Sequence, residues 1–284
     1  MLRIDKSTAV RFAEELIVIT RLAQEAFHSS DFTVTRKSDR SPVTQVDEVT
    51  QNRVISLCRR FFGEDIVIIA EENGFDKTPD ASSSPFTAYI DPIDGTVSLC
   101  AGDISAANIA VGIFYQGKPL IGFIGQLGNG EVVFGGSVLG TIYEMNVAGE
   151  TKLLHRPPVA VENKMWGFEI GKAAWADPLH RGTLMNLFDA HTMMGGSQYV
   201  LPCVAAGLKV IFGHSRFFIG VPNARSWDVG ALLPLLAVTH GTLVSLHTGR
   251  EIVLNNTAEF MPSFVIADSA ETLEYVLSFR PQIS

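Results

Sequence analysis

The chain has 284 residues, 46% of them hydrophobic, and carries 22 basic against 30 acidic side chains for a formal net charge of −8. That length accommodates one large α/β unit or two packed halves, and the apolar content excludes a disordered chain. The acidic balance argues against a dedicated nucleic-acid binder, and it means that an anionic substrate would need local compensation from a Lys/Arg cluster or bound cations.

The N-terminal stretch MLRIDKSTAVRFAEELIVITRLAQEAF is charged throughout and lacks a signal-peptide core. No run approaches the ~18 to 20 apolar residues of a spanning helix. The expectation is a soluble, cytoplasmic protein without membrane contact. Residues 7 to 28 read as a helix, with Ser7-Thr8 as caps and Val10, Ala13, Leu16, Ile17, Ile19 and Leu22 as its apolar positions. A second helix is predicted at about 44 to 62, with Val46, Val49, Val54, Cys58 and Phe61 inward. IVIIA (66 to 70) reads as a buried strand ending at Glu71-Glu72, and FTAYI (86 to 90) as a strand running into Asp91-Pro92-Ile93-Asp94-Gly95-Thr96.

From Ala107 to Met145, short β-type runs separated by QGK and GNG predict an antiparallel meander. Beyond it the pattern predicts a strand near 165 to 170, a helix near 178 to 190, and a helix after Gly195-Gly196-Ser197. Strands near 209 to 220 and an apolar helix after Trp227-Asp228 complete the series. Helices bracketing a largely antiparallel sheet, twice over, predict an α+β fold in two halves, 1–148 and 149–284. Cys58, Cys100 and Cys203 form neither a disulfide framework nor a C-x-x-C site, and are expected as buried apolar thiols.

Several signals lose to plainer readings. GIFYQGKP (112 to 119) has P-loop spacing, but Pro119 stands where a Ser or Thr would hold Mg²⁺, and two strands flank it, so it reads as a hairpin. No G-x-S-x-G elbow occurs, and the seven histidines form no close pair. The acids at strand ends are different. Asp-Pro and Asp-Gly alone signal only a turn, yet if the two strands are neighbours, Glu71, Asp91 and Asp94 converge at one sheet edge. Clustered carboxylates repel unless a cation neutralises them, and hard oxygen ligands suit Mg²⁺. Backbone N–H groups at Gly95-Thr96 favour a phosphate. Asp228 taken alone reads as a helix N-cap.

IIAEENG, YIDPIDGT and SWDVGAL, in that order, with RKSDRSPVTQVDEVT ahead of them, resemble the signature segments of the inositol monophosphatase family of Mg²⁺-dependent, Li⁺-sensitive phosphatases. The resemblance implies a layered α-β-α-β-α sandwich, two mixed or antiparallel sheets between helix layers, and a cytoplasmic homodimer. It implies that Glu71, Asp91 and the Ile93 carbonyl bind a first Mg²⁺, that Asp91, Asp94 and Asp228 bind a second, and that Glu71 and Asp47 help hold a third, giving two to three per site. Thr96 and Glu71 would activate the attacking water, with Asp47 bonded to Thr96. Gly95 and Thr96 would hold the phosphate, and water would attack in line without a phosphoenzyme. Asp94, Gly196, Ser197 and Lys37 would complete the substrate contacts. The departures are Val97-Ser98-Leu99 after D-G-T, an unusual segment before Trp227-Asp228, and no counterpart to the glutamate that binds inositol hydroxyls. Asn223 or Arg225 stand as substitutes. The implied reaction is hydrolysis of a small polyol or sugar-like monophosphate, inositol monophosphate by default. Histidinol phosphate and 3′,5′-bisphosphate nucleotides are alternative substrates, and a regulatory binding protein of the same fold is the alternative class.

Overall fold

Asp5, rather than Ser7 or Thr8, starts the first helix: its carboxylate accepts from the Thr8 backbone N–H at 2.9 Å. A computed structural model describes residues 4–29, 34–36, 42–72, 84–154, 165–168, 176–193, 197–222, 224–254 and 261–281. Helix α1 (Lys6–Phe27) buries Phe12, Ala13, Leu16 and Ile19. After the antiparallel pair β1 (Val34–Arg36) and β2 (Pro42–Thr44), helix α2 (Gln45–Phe62) buries Val46, Val54 and Cys58. Val49, expected inward, is instead 40% exposed, and Leu22, an apolar position of the first helix, is 36% exposed. Both fit the helical period, but lie on the far side of the line along which the helices meet the sheet.

Seven strands form one sheet in chain order: β3 (Val67–Ala70), β4 (Phe86–Asp94), β5 (Asn108–Tyr115), β6 (Lys118–Gln126), β7 (Val132–Gly136), β8 (Thr141–Met145) and β9 (Thr151–Leu153). Only β3 and β4 run parallel; the remaining neighbours are antiparallel, as a meander requires. The P-loop-like segment is the β5–β6 hairpin, with Gln116 and Gly117 both at positive φ. Alternate residues bury on opposite faces: Ile109, Val111 and Ile113 pack with α1 and α2, whereas Ala110 and Phe114 join a second core. The short helix α3 (Thr96–Cys100) links β4 toward β5.

The second sheet is mixed, in the order β11 (Ser197–Val200), β10 (Met165–Phe168), β12 (Phe217–Gly220), β14 (Phe264–Ala267), β13 (Thr242–Ser245). Among the described residues, three helices lie between the sheets: α5 (Cys203–Ile211), α6 (Ser226–Gly230) and α7 (Leu232–Thr239). Their Val204, Leu208, Trp227, Leu232 and Leu235 share one core with Tyr89 and Phe114 of the first sheet and with Phe218 and Phe264 of the second. Outside the second sheet, α4 (Pro178–Met193) and α8 (Ala270–Ser278) close a third core containing Leu184, Leu187, Phe217, Val265 and Val276. The expected α-β-α-β-α layering is therefore observed, each apolar face buried against the next layer.

Three local expectations are corrected. The segment starting at Ser197 is a strand parallel to β10, and the helix begins only at Cys203. Residues 209–211 belong to that helix, leaving β12 as the strand before Gly220. Cys100 is exposed, although Cys58 and Cys203 are buried as expected, and burial raises the Cys58 thiol pKa beyond the ordinary range.

Candidate active site

The register of β3 with β4 brings the acids together. Val67 pairs with Thr87 and Ala70 with Ile90 in parallel, so β3 ends level with Ile90 of β4, and Glu71 follows Ala70 where Asp91 follows Ile90. Two hydrogen bonds from α2 hold this end: Gln51 Nε2 donates to the Glu72 carbonyl at 2.7 Å, and the Glu72 N–H donates to Gln51 Oε1 at 2.8 Å. Gln51 is fully buried, and the sequence carries no motif that would have flagged it.

In a regular strand, residues three apart face opposite sides of the sheet. Asp91 and Asp94 escape this because one extra residue is inserted: Asp91 pairs with Ala110 and Asp94 with Asn108, a β-bulge between them. Pro92, which has no N–H to give the ladder, sits in the bulge. The Ile93 N–H donates to Asp91 Oδ1 at 3.1 Å. Ile93 packs into the core below α1 and α2, while Asp91 and Asp94 share the opposite face with α5 and α6. The expected turn is thus a bulged strand, and the chain reverses only at Gly95, with φ +93° and ψ +26°.

Asp228 reaches the same point from the middle layer. Close packing allows this: a Cβ on Gly112 would meet the Gly230 carbonyl oxygen at 2.1 Å, and one on Gly230 would meet Tyr89 Cβ at 2.5 Å. Helix α6 therefore lies directly on β4 and β5. The N-cap of that helix is Arg225 and not Asp228, which is its third residue and accepts at Oδ2 from the Arg225 N–H at 2.5 Å, so Asp228 closes a capping box while it joins the cluster. The Arg225 guanidinium lies over the Trp227 ring, 5.6 Å from its centroid.

Ligand oxygens of Asp91, Asp94 and Asp228 lie within 4.8 Å of one another. Asp91 is almost wholly buried, and its pKa is raised well above the ordinary carboxylate value, first by burial and then by Glu71, Asp94, Asp228 and Asp47. The four described charged neighbours acting on it all have the same sign. Asp47, 1% exposed, caps α2 with Thr44, whose N–H donates to its Oδ2 at 2.8 Å. Its Oδ1 lies 3.0 Å from the Thr96 hydroxyl, which is also 2.9 Å from the Ile93 carbonyl oxygen.

Besides Asp228, the second half of the chain meets the cluster through α5. The Val204 N–H donates to Asp94 Oδ2 at 2.9 Å, and a Cβ on Gly95 would meet Pro202 Cγ at 2.9 Å. Val204 thus bonds Asp94 and Pro202 packs on Gly95, while Ser197 opens the edge strand β11. Lys37, Gly196 and Asn223 lie outside the described residues. A proline before an apolar helical run marks a helix start, and this was the available signal for α5.

The fold and site define an α+β layered protein that gathers carboxylates at a bulged strand end, an oxygen-rich donor set matching a hard divalent cation. A search of family models gives a match over residues 5–275. The chain belongs to the inositol monophosphatase family. It is 23% identical over 210 residues to mouse (Mus musculus) 3′(2′),5′-bisphosphate nucleotidase 1, a match covering 68% of this chain and 60% of that protein's length. Among solved structures, the extragenic suppressor protein suhB of Bartonella henselae aligns with a TM-score of 0.74 at 14% identity, covering 98% of each chain. An IMPase/NADP phosphatase solved with Mg²⁺ and phosphate aligns with a TM-score of 0.72 at 18% identity, over 93% of this chain and 91% of that one. Among the described residues, no helix is long and apolar enough to cross a membrane.

Proposed function

We propose that the chain is a Mg²⁺-dependent phosphomonoesterase acting on a small polyol or sugar-like monophosphate, with inositol monophosphate as the default. The observation that carries this reading is the convergence of Asp91, Asp94 and Asp228 within 4.8 Å, with Glu71 and Asp47 adding to the same negative field. Such an assembly costs stability unless a cation neutralises it. Glu71, Asp91 and the Ile93 carbonyl would hold one ion, Asp91, Asp94 and Asp228 a second, and Glu71 with Asp47 a third. Mg²⁺, when bound, supplies Lewis acidity and lowers the pKa of water.

The protein's own groups do the orienting. When Thr96 gives its one hydroxyl proton to Asp47, its oxygen can only accept, which directs an incoming water's hydrogen toward it and a lone pair outward. Glu71, at the end of β3, offers a second acceptor for that water. Gly95 and Thr96 begin α3, where first-turn N–H groups have no intrahelical acceptor and suit phosphate oxygens. In this reading residues 1–148 supply most of the ligands, and residues 149–284 supply Asp228 and the groups facing the substrate, Ser197, Gly196 and Arg225 among them. Lys37 would lie near the metal site.

A 3′,5′-bisphosphate nucleotide is the second reading, favoured by the likeness to mouse bisphosphate nucleotidase. A phosphate-release screen over inositol phosphates, histidinol phosphate and 3′,5′-bisphosphate nucleotides separates the two. Release should require Mg²⁺ and fall with millimolar-scale Li⁺. Activity indifferent to a chelator would rule out the metal chemistry, and silence on every substrate would favour a regulatory binding protein. Cytoplasmic location and a homodimer belong to the same proposal, the latter checked by light scattering.

A further inference from the structure

We infer that the backbone N–H of Val204 is a positioning donor for the metal centre: it holds one oxygen of Asp94 so that the other faces the cluster. The inference rests on the metal-centre reading above. Asp94 is 6% exposed and sits beside Asp91, whose other acidic neighbours all repel it. A carboxylate in that position is driven to rotate away from its neighbours. The Val204 N–H, 2.9 Å from Asp94 Oδ2, opposes that rotation with a charge-assisted hydrogen bond.

The donor is itself held by packing. Pro202 caps α5 and Cys203 and Val204 are its first helical residues, both buried, so the Val204 N–H belongs to the first turn and has no acceptor within the helix. Pro202 packs on Gly95 so closely that a Cβ there would meet Pro202 Cγ at 2.9 Å. The bond joins residues 110 apart in sequence, one in each sheet's half of the molecule. The rotamer of Asp94 is therefore settled when the protein folds, and its ordering is not charged against cation binding.

The test removes the donor alone. Val204→Pro deletes the N–H at a position where no helical hydrogen bond is lost. Replacing Val204 by its α-hydroxy acid, which converts the amide to an ester, does so without the proline ring. The readout is Mn²⁺ binding followed by electron paramagnetic resonance without substrate, Mn²⁺ standing in for Mg²⁺ on carboxylate ligands. Both variants should bind Mn²⁺ about tenfold more weakly, as expected for loss of one hydrogen bond to a charged group. Val204→Ala, which keeps the N–H, should bind as the wild type does. In an Asp94→Ala background, removing the donor should change nothing further, because the two act as a unit. Wild-type affinity in the ester variant, or an undiminished effect in the Asp94→Ala background, would overturn the inference. Intact Mn²⁺ binding without phosphate release from any substrate would sink the phosphatase reading alone, whereas a wild type that binds no Mn²⁺ would sink both.

Discussion

Two polar clusters, one buried and one reaching the surface at His247, sit on opposite sides of the second sheet, and they resolve their charges differently. In the outer layer, Ser263 Oγ lies 3.1 Å from His180 Nδ1 and donates to Asp177 Oδ2 at 2.9 Å, while His247 Nε2 lies 2.8 Å from the same oxygen. Ser263's proton goes to Asp177, so Ser263 accepts from His180 Nδ1–H. Asp177 also caps α4, accepting from the Leu179 N–H at 3.0 Å. Donors and acceptors alternate along the chain, and the Asp177 pKa ends below its ordinary value, because its hydrogen bonds to Ser263, His247 and the His180 backbone together outweigh burial, the largest single influence. At the end of β4 the opposite holds: burial and four acids all push Asp91 upward. A carboxylate matched by donors has a structural task, although His180 Nε2 in that network has no hydrogen-bond partner among the described residues, and a buried carboxylate crowded by like charges calls for a cation.

The strongest way to break that comparison is Asp91→Asn. It keeps the shape and removes a buried charge crowded by four other acids. Phosphate release should fall at least ~10³-fold, as for loss of an interaction made at the reacting centre. Measured with EDTA, thermal stability should rise, since a buried charge among like charges is lost. A fall in both activity and metal-free stability would mean that the acids already compensate one another.

The pH dependence of the two clusters should have opposite signs. The His180 pKa is lowered to about 4 by burial, from 6.5. Between those values the unfolded chain binds the proton and the folded one does not, so stability is full above pH 6.5 and falls as pH drops toward 4. The slope is at most about 1.4 kcal/mol per pH unit, amounting to roughly 3 kcal/mol over the window. Asp91 is raised instead, so its contribution is present below its ordinary value and is lost as pH rises. Metal-free wild type and Asp91→Asn should therefore differ more at pH 8 than at pH 5 in chemical denaturation. Equal differences would remove the like-charge account. Ser263→Ala is the smaller perturbation of the outer network. It should cost about 2 kcal/mol by leaving His180 Nδ1 unpaired, with activity per folded molecule unchanged.

The two clusters also differed in how far they could be read from the sequence. Glu71 and Asp91 were legible because each follows an apolar strand run, and the parallel register of β3 and β4 turns that into adjacency. The bulge was not, since Asp-Pro predicts a turn equally well and only the pairing partner on β5 counts the inserted residue. The start of α5 was missed because Gly195-Gly196-Ser197 is a stronger local breaker than Leu201-Pro202. Val49 was misplaced because helical period identifies an apolar stripe and leaves its edges undefined. Nothing announced the outer network, whose hydrogen bonds join residues 70, 83 and 86 apart. The segments that carry the family resemblance contain the clustered acids and none of Asp177, His180, His247 or Ser263.

Gly95→Ala probes the point where the two halves touch, and its effect should be the smallest on stability. Gly95 has φ +93°, in the left-handed region where an L side chain is strained. The added methyl would also meet Pro202 Cγ at 2.9 Å and the Ala106 carbonyl oxygen at 3.2 Å. The proline ring can shift by a few tenths of an ångström, so the cost should stay near 1 to 2 kcal/mol. That shift, however, moves Pro202 and with it the Val204 N–H that holds Asp94. Activity should therefore fall more than stability does, by tenfold or more, with weaker Mn²⁺ binding as the accompanying sign. A variant as unstable as expected but with normal Mn²⁺ binding would show that the turn and the α5 start are mechanically separate. The acid cluster would then be organised without α5.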